Sequence, residues 1–256
     1  MKKRIGLIIQ GPMTSSGIRG PLLRDKSSIT EKSDDTLVDF NCIDNVIKLA
    51  TEAKSIFDYV VLSTWESNEI EILSDTDLFD HLIVSNEGKF EKLYINDVFN
   101  NNYKKQFHTL KVAGDHLEDK NLDFIVKIRT DLFVDLKELH KECLKSIDKN
   151  TILINNGIRS GTRFIELDDY IFGSESKFFI DWMNNLLSIE FFDWGGSHHR
   201  LMKSYLWTKY ENKFKYRKIH FFHQSVQNNS KKISNLAIQE WKEFHILDKN
   251  FWKNSQ

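Results

Sequence analysis

The chain has 256 residues, 40% of them apolar and 12% aromatic, enough for a sizeable core and for one large α/β domain or two small ones. With 2 Pro and 11 Gly it is not a fibre, a repeat array or a largely disordered chain, and no apolar run approaches the roughly 18 residues of a membrane-spanning helix. The net charge of −1 hides an uneven spread: residues 200–256 carry 12 Lys/Arg against 4 Asp/Glu, leaving 24 against 33 in residues 1–199.

Met1-Lys2-Lys3-Arg4 is basic, but the apolar run Ile5–Ile9 behind it is too short for a signal-peptide core. It reads as a buried first strand that ends sharply at Gln10-Gly11-Pro12. No GxGxxG follows, so a dinucleotide fingerprint is absent. Residues 13–35 are polar and aperiodic, a long connection of the kind that is functional or mobile. Thr36 with Asp39 resembles a capping box, and Leu37, Phe40, Ile43, Ile47 and Ala50 then share one helical face. Cys42 and Cys143 have no partner motif, so a reduced, cytoplasmic setting is the expectation. Tyr59–Leu62 reads as a second strand, running into Ser63-Thr64-Trp65-Glu66. Leu82–Val84 reads as a third, running into Ser85-Asn86-Glu87. Strands alternating with helices predict parallel βαβ units. Residues 101–118 have helical spacing, with Lys104, Lys105 and Gln106 in the first turns, where free N–H groups favour anions. The alternative for both lysines is a solvated face.

Phe124–Asp135, FIVKIRTDLFVD, is the most informative stretch. Phe124, Ile125, Val126 and Ile128 suit a strand buried on both faces. Arg129, Thr130 and Asp131 then place a guanidinium, a hydroxyl and a carboxylate at its carboxyl end, where open α/β sheets bind ligands. Asp131 there can hold a divalent cation that bridges phosphates, and Arg129 can clamp a phosphate. The competing reading makes Asp131 a turn cap and Arg129 its ion-pair partner.

Leu136–Ile147 reads as a helix and Thr151–Ile154 as a strand. Asp168-Asp169-Tyr170-Ile171-Phe172-Gly173 offers two adjacent acids for acid/base work. Ser174–Leu187 has the spacing of an amphipathic helix with its aromatics in the core. Asp193-Trp194-Gly195-Gly196 permits close backbone approach and sugar stacking, and His198-His199 follow as a candidate metal or acid/base pair, although adjacent residues on a helix do not share a face for one ion. Lys218–Phe222 reads as a late strand followed by His223, and Ile233–Phe244 as a last helix. The basic, aromatic end of the chain fits either anionic lipid headgroups at the inner membrane or a solvated helical surface. The chain as a whole is not basic, and nucleic acid is not an expected partner.

There is no GxSxG, Walker A, HExxH, CxxC or kinase signature. What remains fits an enzyme that binds a nucleoside diphosphate with a sugar attached. Ile8-Ile9-Gln10-Gly11-Pro12, Val60-Val61-Leu62-Ser63-Thr64-Trp65-Glu66, Asn101-Asn102 with Gln106, Val126-Lys127-Ile128-Arg129-Thr130-Asp131 and Asp168-Asp169-Tyr170-Ile171-Phe172-Gly173 together resemble the WavE lipopolysaccharide-synthesis family. The resemblance covers roughly residues 5–185. Lys105 stands where that family usually has arginine, and Tyr170 where it often has tryptophan.

The resemblance implies a single GT-A-like α/β domain with a mostly parallel central sheet flanked by helices, residues 1–135 holding the nucleotide-sugar and residues 136–256 the acceptor side. It implies a glycosyltransferase moving a sugar from a nucleotide-diphosphate donor to an oligosaccharide or lipid-linked acceptor of lipopolysaccharide or capsule. Gln10, Gly11, Pro12, Thr64, Glu66, Lys105, Gln106, Arg129 and Asp131 would face the donor. Asp131, with His223, would hold Mn²⁺ or Mg²⁺, and Asp169 and Asp193 are the catalytic candidates. A nucleotidyl- or phosphotransferase of surface-polysaccharide assembly is the alternative enzyme, and a non-enzymatic subunit of such a complex the third reading.

Overall fold

The computed structural model describes residues 2–17, 38–93, 102–155, 171–188, 216–219 and 224–225. The elements are β1 (Ile5–Gln10), β2 (Thr14–Gly17), β3 (Val38–Asn41), α1 (Ile43–Ala53), β4 (Tyr59–Trp65), α2 (Ile70–Ser74), β5 (His81–Ser85), α3 (Glu87–Leu93), α4 (Asn102–Leu117), β6 (Phe124–Arg129), β7 (Leu132–Phe133), α5 (Leu136–Lys149), β8 (Ile152–Asn155), β9 (Ile171–Glu175), α6 (Ser176–Ser188), β10 (Tyr216–Ile219) and β11 (Gln224–Ser225).

Seven strands form one sheet in the order β5-β4-β1-β6-β9-β8-β10. Every pairing in it is parallel except the two made by β9, which runs antiparallel to β6 and β8. The mostly parallel, helix-flanked α/β sheet expected from the sequence is therefore what forms. Two short antiparallel pairs, β2 with β3 and β7 with β11, lie outside it.

Alternation along the strands sorts the core into two layers, because successive side chains leave a strand on opposite faces. Ile5, Leu7 and Ile9 of β1 join Val60 and Leu62 of β4 and Phe124, Val126 and Ile128 of β6, under α1 and α5. Ile8, Val61 and Ile125 point the other way, against Phe107, Leu110 and Ala113 of α4 and Phe179, Ile180 and Trp182 of α6. Both faces are covered, which is why β1 and β6 read as near-continuous apolar runs.

β9 is one element that sequence periodicity did not reveal. Ile171-Phe172-Gly173 reads there as the end of an acidic motif, whereas the chain returns antiparallel between two parallel halves. Gly173 permits it: a Cβ at that position would meet the Ile125 carbonyl oxygen at 2.7 Å and the Phe124 ring at 2.7 Å. A second expectation is corrected at the start of α1. The capping box and the helical role of Phe40 do not hold. Val38–Asn41 is a strand paired with Thr14–Gly17, and the helix begins only after Cys42, whose N–H donates to the Met13 carbonyl at 2.7 Å. A β-branched and aromatic alternation, Val38 and Phe40, won over helical spacing once a partner strand was in reach. The predicted helix at 233–244, the histidines 198 and 199 and the Trp194 loop lie outside the described residues.

Three aspartates fix the amino ends of the strands. In Phe57-Asp58-Tyr59, Phe79-Asp80-His81 and Leu122-Asp123-Phe124 the acid directly precedes a strand and accepts an N–H at the start of the neighbouring one. Asp58 takes Ile5 N at 3.0 Å, Asp80 takes Val60 N at 2.7 Å and Asp123 takes Arg4 N at 2.8 Å. Leaving these part-buried N–H groups without an acceptor would be costly. No helix among the described residues is long and apolar enough to cross a membrane.

Burial alone raises the Asp58 pKa. The hydrogen bond and charge of Lys2, the Ile5 N–H and the Arg4 charge outweigh that effect and hold the carboxyl below its ordinary 3.8. The stability it contributes is therefore complete above that value and is lost as the pH falls from there through the lower folded value. Asp58→Ala should cost about 1–2 kcal/mol at neutral pH, and the gap to the wild type should close on acidification, read from denaturant unfolding at pH 7 and in the acid range.

Candidate functional site

Strand order reverses between β1 and β6. From β1 the chain crosses through α1 to β4 and then β5. It returns through α3 and α4 to β6, on the other flank of β1. In an open α/β sheet the helices on either side of such a reversal part company beyond the carboxyl ends of the strands, and that crevice is where ligands bind. Parallel register puts Gln10 beside Arg129 and beside Ser63. The motifs at the ends of β1, β4 and β6, far apart in sequence, thus leave the sheet at the same level.

The exits of β1 and β6 are bonded into one unit. Thr130 N donates to the Gln10 carbonyl at 3.1 Å, and Thr130 Oγ1 donates to the Pro12 carbonyl at 2.9 Å. Gly11, with φ of 143°, lies between, and its N–H donates to the Ser63 carbonyl at 3.2 Å. A Cβ on Gly11 would sit 2.5 Å from Thr130 Oγ1. Both the positive φ and the close approach demand glycine here.

Arg129 and Asp131 project from this unit as a two-point pair. Arg129 Nε donates to Asp131 Oδ1 at 2.8 Å and Nη2 to Oδ2 at 2.7 Å. The Asp131 side chain is 5% exposed and that of Arg129 19%. The ion pair belongs to the competing sequence reading, and the fold displays that half of it; the helix cap that follows is made by Asp135, which accepts from Glu138 N. Beneath the pair lies Cys42. Burial, and then the charge of Asp131, push its thiol up to about 12 against the opposing pull of Arg129 and Thr130. It is protonated at neutral pH and is no nucleophile.

α4 runs antiparallel to β1. Its middle meets the strand exits, where Gln10 Nε2 donates to Thr109 Oγ1 at 3.0 Å and Ser63 Oγ to the Thr109 carbonyl at 2.8 Å. Its last turn meets the strand start, Leu117 lying against Gly6. The first turns of α4, with Lys104, Lys105 and Gln106, are thus carried to the crevice side of the sheet. Lys105 pairs with Glu87 at 2.8 Å, and its ammonium stands 5.7 Å from the Trp65 ring centroid. Trp65 also stacks on His108 and meets Phe90 edge-on. His108 is held below its ordinary pKa, by burial first and then by Lys111, so it is a neutral ring in this cluster at pH 7. Glu66 is exposed and accepts from Asn86 Nδ2.

The structure divides the predicted donor residues into two neighbouring groups. Gln10, Gly11, Pro12, Arg129 and Asp131 meet at the β1–β6 exit. Glu66 and Lys105 meet the Trp65 cluster at the β4–β5 exit. Thr64 lies between them, fully buried, its hydroxyl without a hydrogen-bond partner among the described residues. Gln106 lies one turn before Thr109, which donates to its carbonyl at 3.0 Å. Asp169, Asp193 and His223 lie outside the described residues. Sequence reasoning missed Thr109, the aromatic partners of Trp65, and Asn45 of α1. Only a polar residue on the buried side of an amphipathic helix hinted at Asn45.

A divalent cation takes several oxygen donors. Among the described residues no three His, Cys, Asp or Glu side chains are grouped to share a metal, and Arg129 spans both oxygens of Asp131. These side chains do not by themselves make a site for Mn²⁺ or Mg²⁺.

No protein-family model matches the chain, and no curated protein matches its sequence. Among solved structures, a 4-diphosphocytidyl-2C-methyl-D-erythritol synthase from Anaerococcus prevotii is similar with a TM-score of 0.49 and 15% identity, over 94% of this chain and 96% of that one. A cytidylyltransferase from Leptospira borgpetersenii follows at 0.44 and 17%, over 86% and 76%. A glycosyltransferase involved in glycosylation of the major capsid of PBCV-1 follows at 0.47 and 10%, over 85% and 82%. All three fall below a TM-score of 0.5, so the chemistry of the site rests on its own residues.

Gly11→Ala should destabilise the protein by about 1–3 kcal/mol, from backbone strain and the contact with Thr130 together. Denaturant unfolding of the variant checks this, and a loss within error of zero would mean the β1 exit is not held as described.

Proposed function

We propose that this chain is a glycosyltransferase that binds a nucleotide-diphosphate sugar at the β1–β6 exit and passes the sugar to an oligosaccharide or lipid-linked acceptor of a surface polysaccharide. The observation that carries the reading is the convergence of Gln10-Gly11-Pro12 and Arg129-Thr130-Asp131 at the reversal of strand order, where α/β sheets receive ligands. These are two of the segments by which the sequence resembles the WavE family. That resemblance supplies the polysaccharide acceptor. It also suggests one catalytic domain, residues 1–135 on the donor side and 136–256 on the acceptor side. The second half completes the same sheet, through β8, β9 and β10.

In such a transfer the acceptor hydroxyl attacks the anomeric carbon, the bond from that carbon to the diphosphate breaks, and the nucleoside diphosphate departs with the electron pair. The chain's task is to hold the diphosphate and to meet its growing negative charge with fixed positive charge. Arg129 has the planar fork for a phosphate, and its aspartate partner fixes where that fork points. Lys105 is placed at the amino end of α4 and is held by a largely exposed pair with Glu87, a contact weak enough to exchange for phosphate. Asp169 or Asp193 would take the acceptor proton. Mn²⁺ or Mg²⁺ would be held only if Asp131 gave up its bonds to Arg129 and residues outside the described set, His223 among them, joined it, and the ion would then add a further positive charge at the diphosphate.

UDP, GDP or CDP in excess, at about a hundred times its Kd, should stabilise the protein by about 2.7 kcal/mol, seen as a rise in Tm in the presence of a chelator. A rise that needs Mn²⁺ or Mg²⁺ would show instead that residues outside the described set complete a metal site with Asp131. No rise with any diphosphate would sink the donor reading. Asp131→Asn should abolish release of nucleoside diphosphate from the cognate nucleotide-sugar while costing about 1–3 kcal/mol of stability, because the two-point pair is lost from a buried place. Release of pyrophosphate from a nucleoside triphosphate would mark a nucleotidyltransferase.

A further inference from the structure

Asn45 is 5% exposed and sits in the first turn of α1, across the crevice face from the exits of β1 and β6. Its single amide nitrogen donates twice, to the Thr130 carbonyl at 2.7 Å and to the Leu132 carbonyl at 2.9 Å. Those are the carbonyls on either side of Asp131. The turn Thr130–Asp131 separates β6 from β7, so the Thr130 carbonyl lies in the turn and the Leu132 carbonyl in β7, which pairs with β11. Buried carbonyls without a donor are costly, and one amide supplies both. Its two N–H bonds diverge at a fixed angle, so the pair of carbonyls is held at a fixed spacing. The reverse orientation of the amide is ruled out, because it would set Oδ1 against two carbonyl oxygens. As it stands, Oδ1 is buried and meets no hydrogen-bond partner among the described residues.

The consequence reaches the charged pair. Thr130 is tied on one side to β1, through Gln10 and Pro12, and on the other to α1, through Asn45. Asp131 is the residue between the two carbonyls that Asn45 holds, and both its oxygens are on Arg129. We propose that Asn45 is a positioning residue of the donor site: it sets the backbone of the Thr130–Leu132 turn and so the direction in which the Arg129–Asp131 pair presents its guanidinium. This rests on the donor reading given above for its meaning in catalysis, but the geometry it asserts can be measured without a ligand.

Two measurements test it. Asn45→Leu replaces the amide by an apolar group of similar volume and removes both donors. Asp58→Ala, at the far end of the sheet, serves as a variant of lowered stability with an intact site. The Arg129 Nε–H is held by Asp131 at 2.8 Å, and its hydrogen exchange, followed by NMR, should be slow in the wild type and in Asp58→Ala and at least tenfold faster in Asn45→Leu. Retained protection in Asn45→Leu would overturn the proposal. Calorimetric titration with UDP, GDP and CDP should give, for whichever binds the wild type, a Kd raised roughly tenfold to a hundredfold in Asn45→Leu and unchanged in Asp58→Ala. In an Asp131→Asn background the same Asn45→Leu change should add nothing, because its effect runs through that pair. Additive losses would reduce Asn45 to a structural anchor. Should no diphosphate bind the wild type, the donor reading fails by itself, and the exchange measurement still decides what Asn45 holds.

Discussion

Thr130 is the residue on which the site depends. Its N–H reaches the Gln10 carbonyl, its hydroxyl reaches the Pro12 carbonyl, and its own carbonyl receives Asn45. Each bond by itself is worth about 1 kcal/mol net. Together they join the exits of two parallel strands to the first turn of a helix, and they do so where the regular ladder of the sheet has ended. Gly11 is the complement of that junction, since any side chain there would occupy the space of the Thr130 hydroxyl. The Arg129–Asp131 pair is carried on this scaffold rather than on a free loop. On the proposed reading, a charged group that meets a diphosphate needs such support, because an ill-placed, partly buried charge is costly and does little.

The two ends of the sheet solve one problem differently. At the amino ends, Asp58, Asp80 and Asp123 accept the N–H groups that the neighbouring strand leaves open. At the carboxyl ends, side-chain amides and hydroxyls donate to backbone carbonyls: Asn45 to Thr130 and Leu132, Thr130 to Pro12, and Ser63 to Thr109 of α4. Acids therefore gather at the amino-end edge and donors at the carboxyl-end edge, as the polarity of parallel strands requires. Negative side chains are thus drawn away from the crevice, while Arg129 and Lys105 stand on it. The exceptions on the crevice side include Asp131 and Glu87, each paired with a cation, and exposed Glu66, which accepts from Asn86.

Trp65 links the two parts of the crevice. It closes β4, stacks on His108 of α4, meets Phe90 of α3 and lies under the Lys105 ammonium. It thereby sets where the amino end of α4 stands relative to the strand exits. The neutral state of His108 suits this position, since a charged imidazole would crowd Lys105 and Lys111 within an apolar cluster.

Much of this was legible in the sequence because it depends on local pattern. Apolar runs of β length ending in polar residues gave β1, β4, β5 and β6. Helical spacing gave α4, α5 and α6, and Gln10-Gly11-Pro12, Ser63-Thr64 and Arg129-Thr130-Asp131 read as polar strand ends, which the fold brings to one level of the sheet. What the sequence could not show is pairing across distance. That β9 turns back between two parallel halves depends on a glycine meeting a backbone 48 residues away; that Val38–Asn41 is a strand depends on Thr14–Gly17 lying beside it. Asn45 looks from sequence like an ordinary polar residue in a helix, and it gains its meaning only when a turn 85 residues later is folded against it. Local propensity fixes which segments are strands and helices, whereas hydrogen bonds between sequence-distant groups decide which of their ends meet, and the site is made of those meetings.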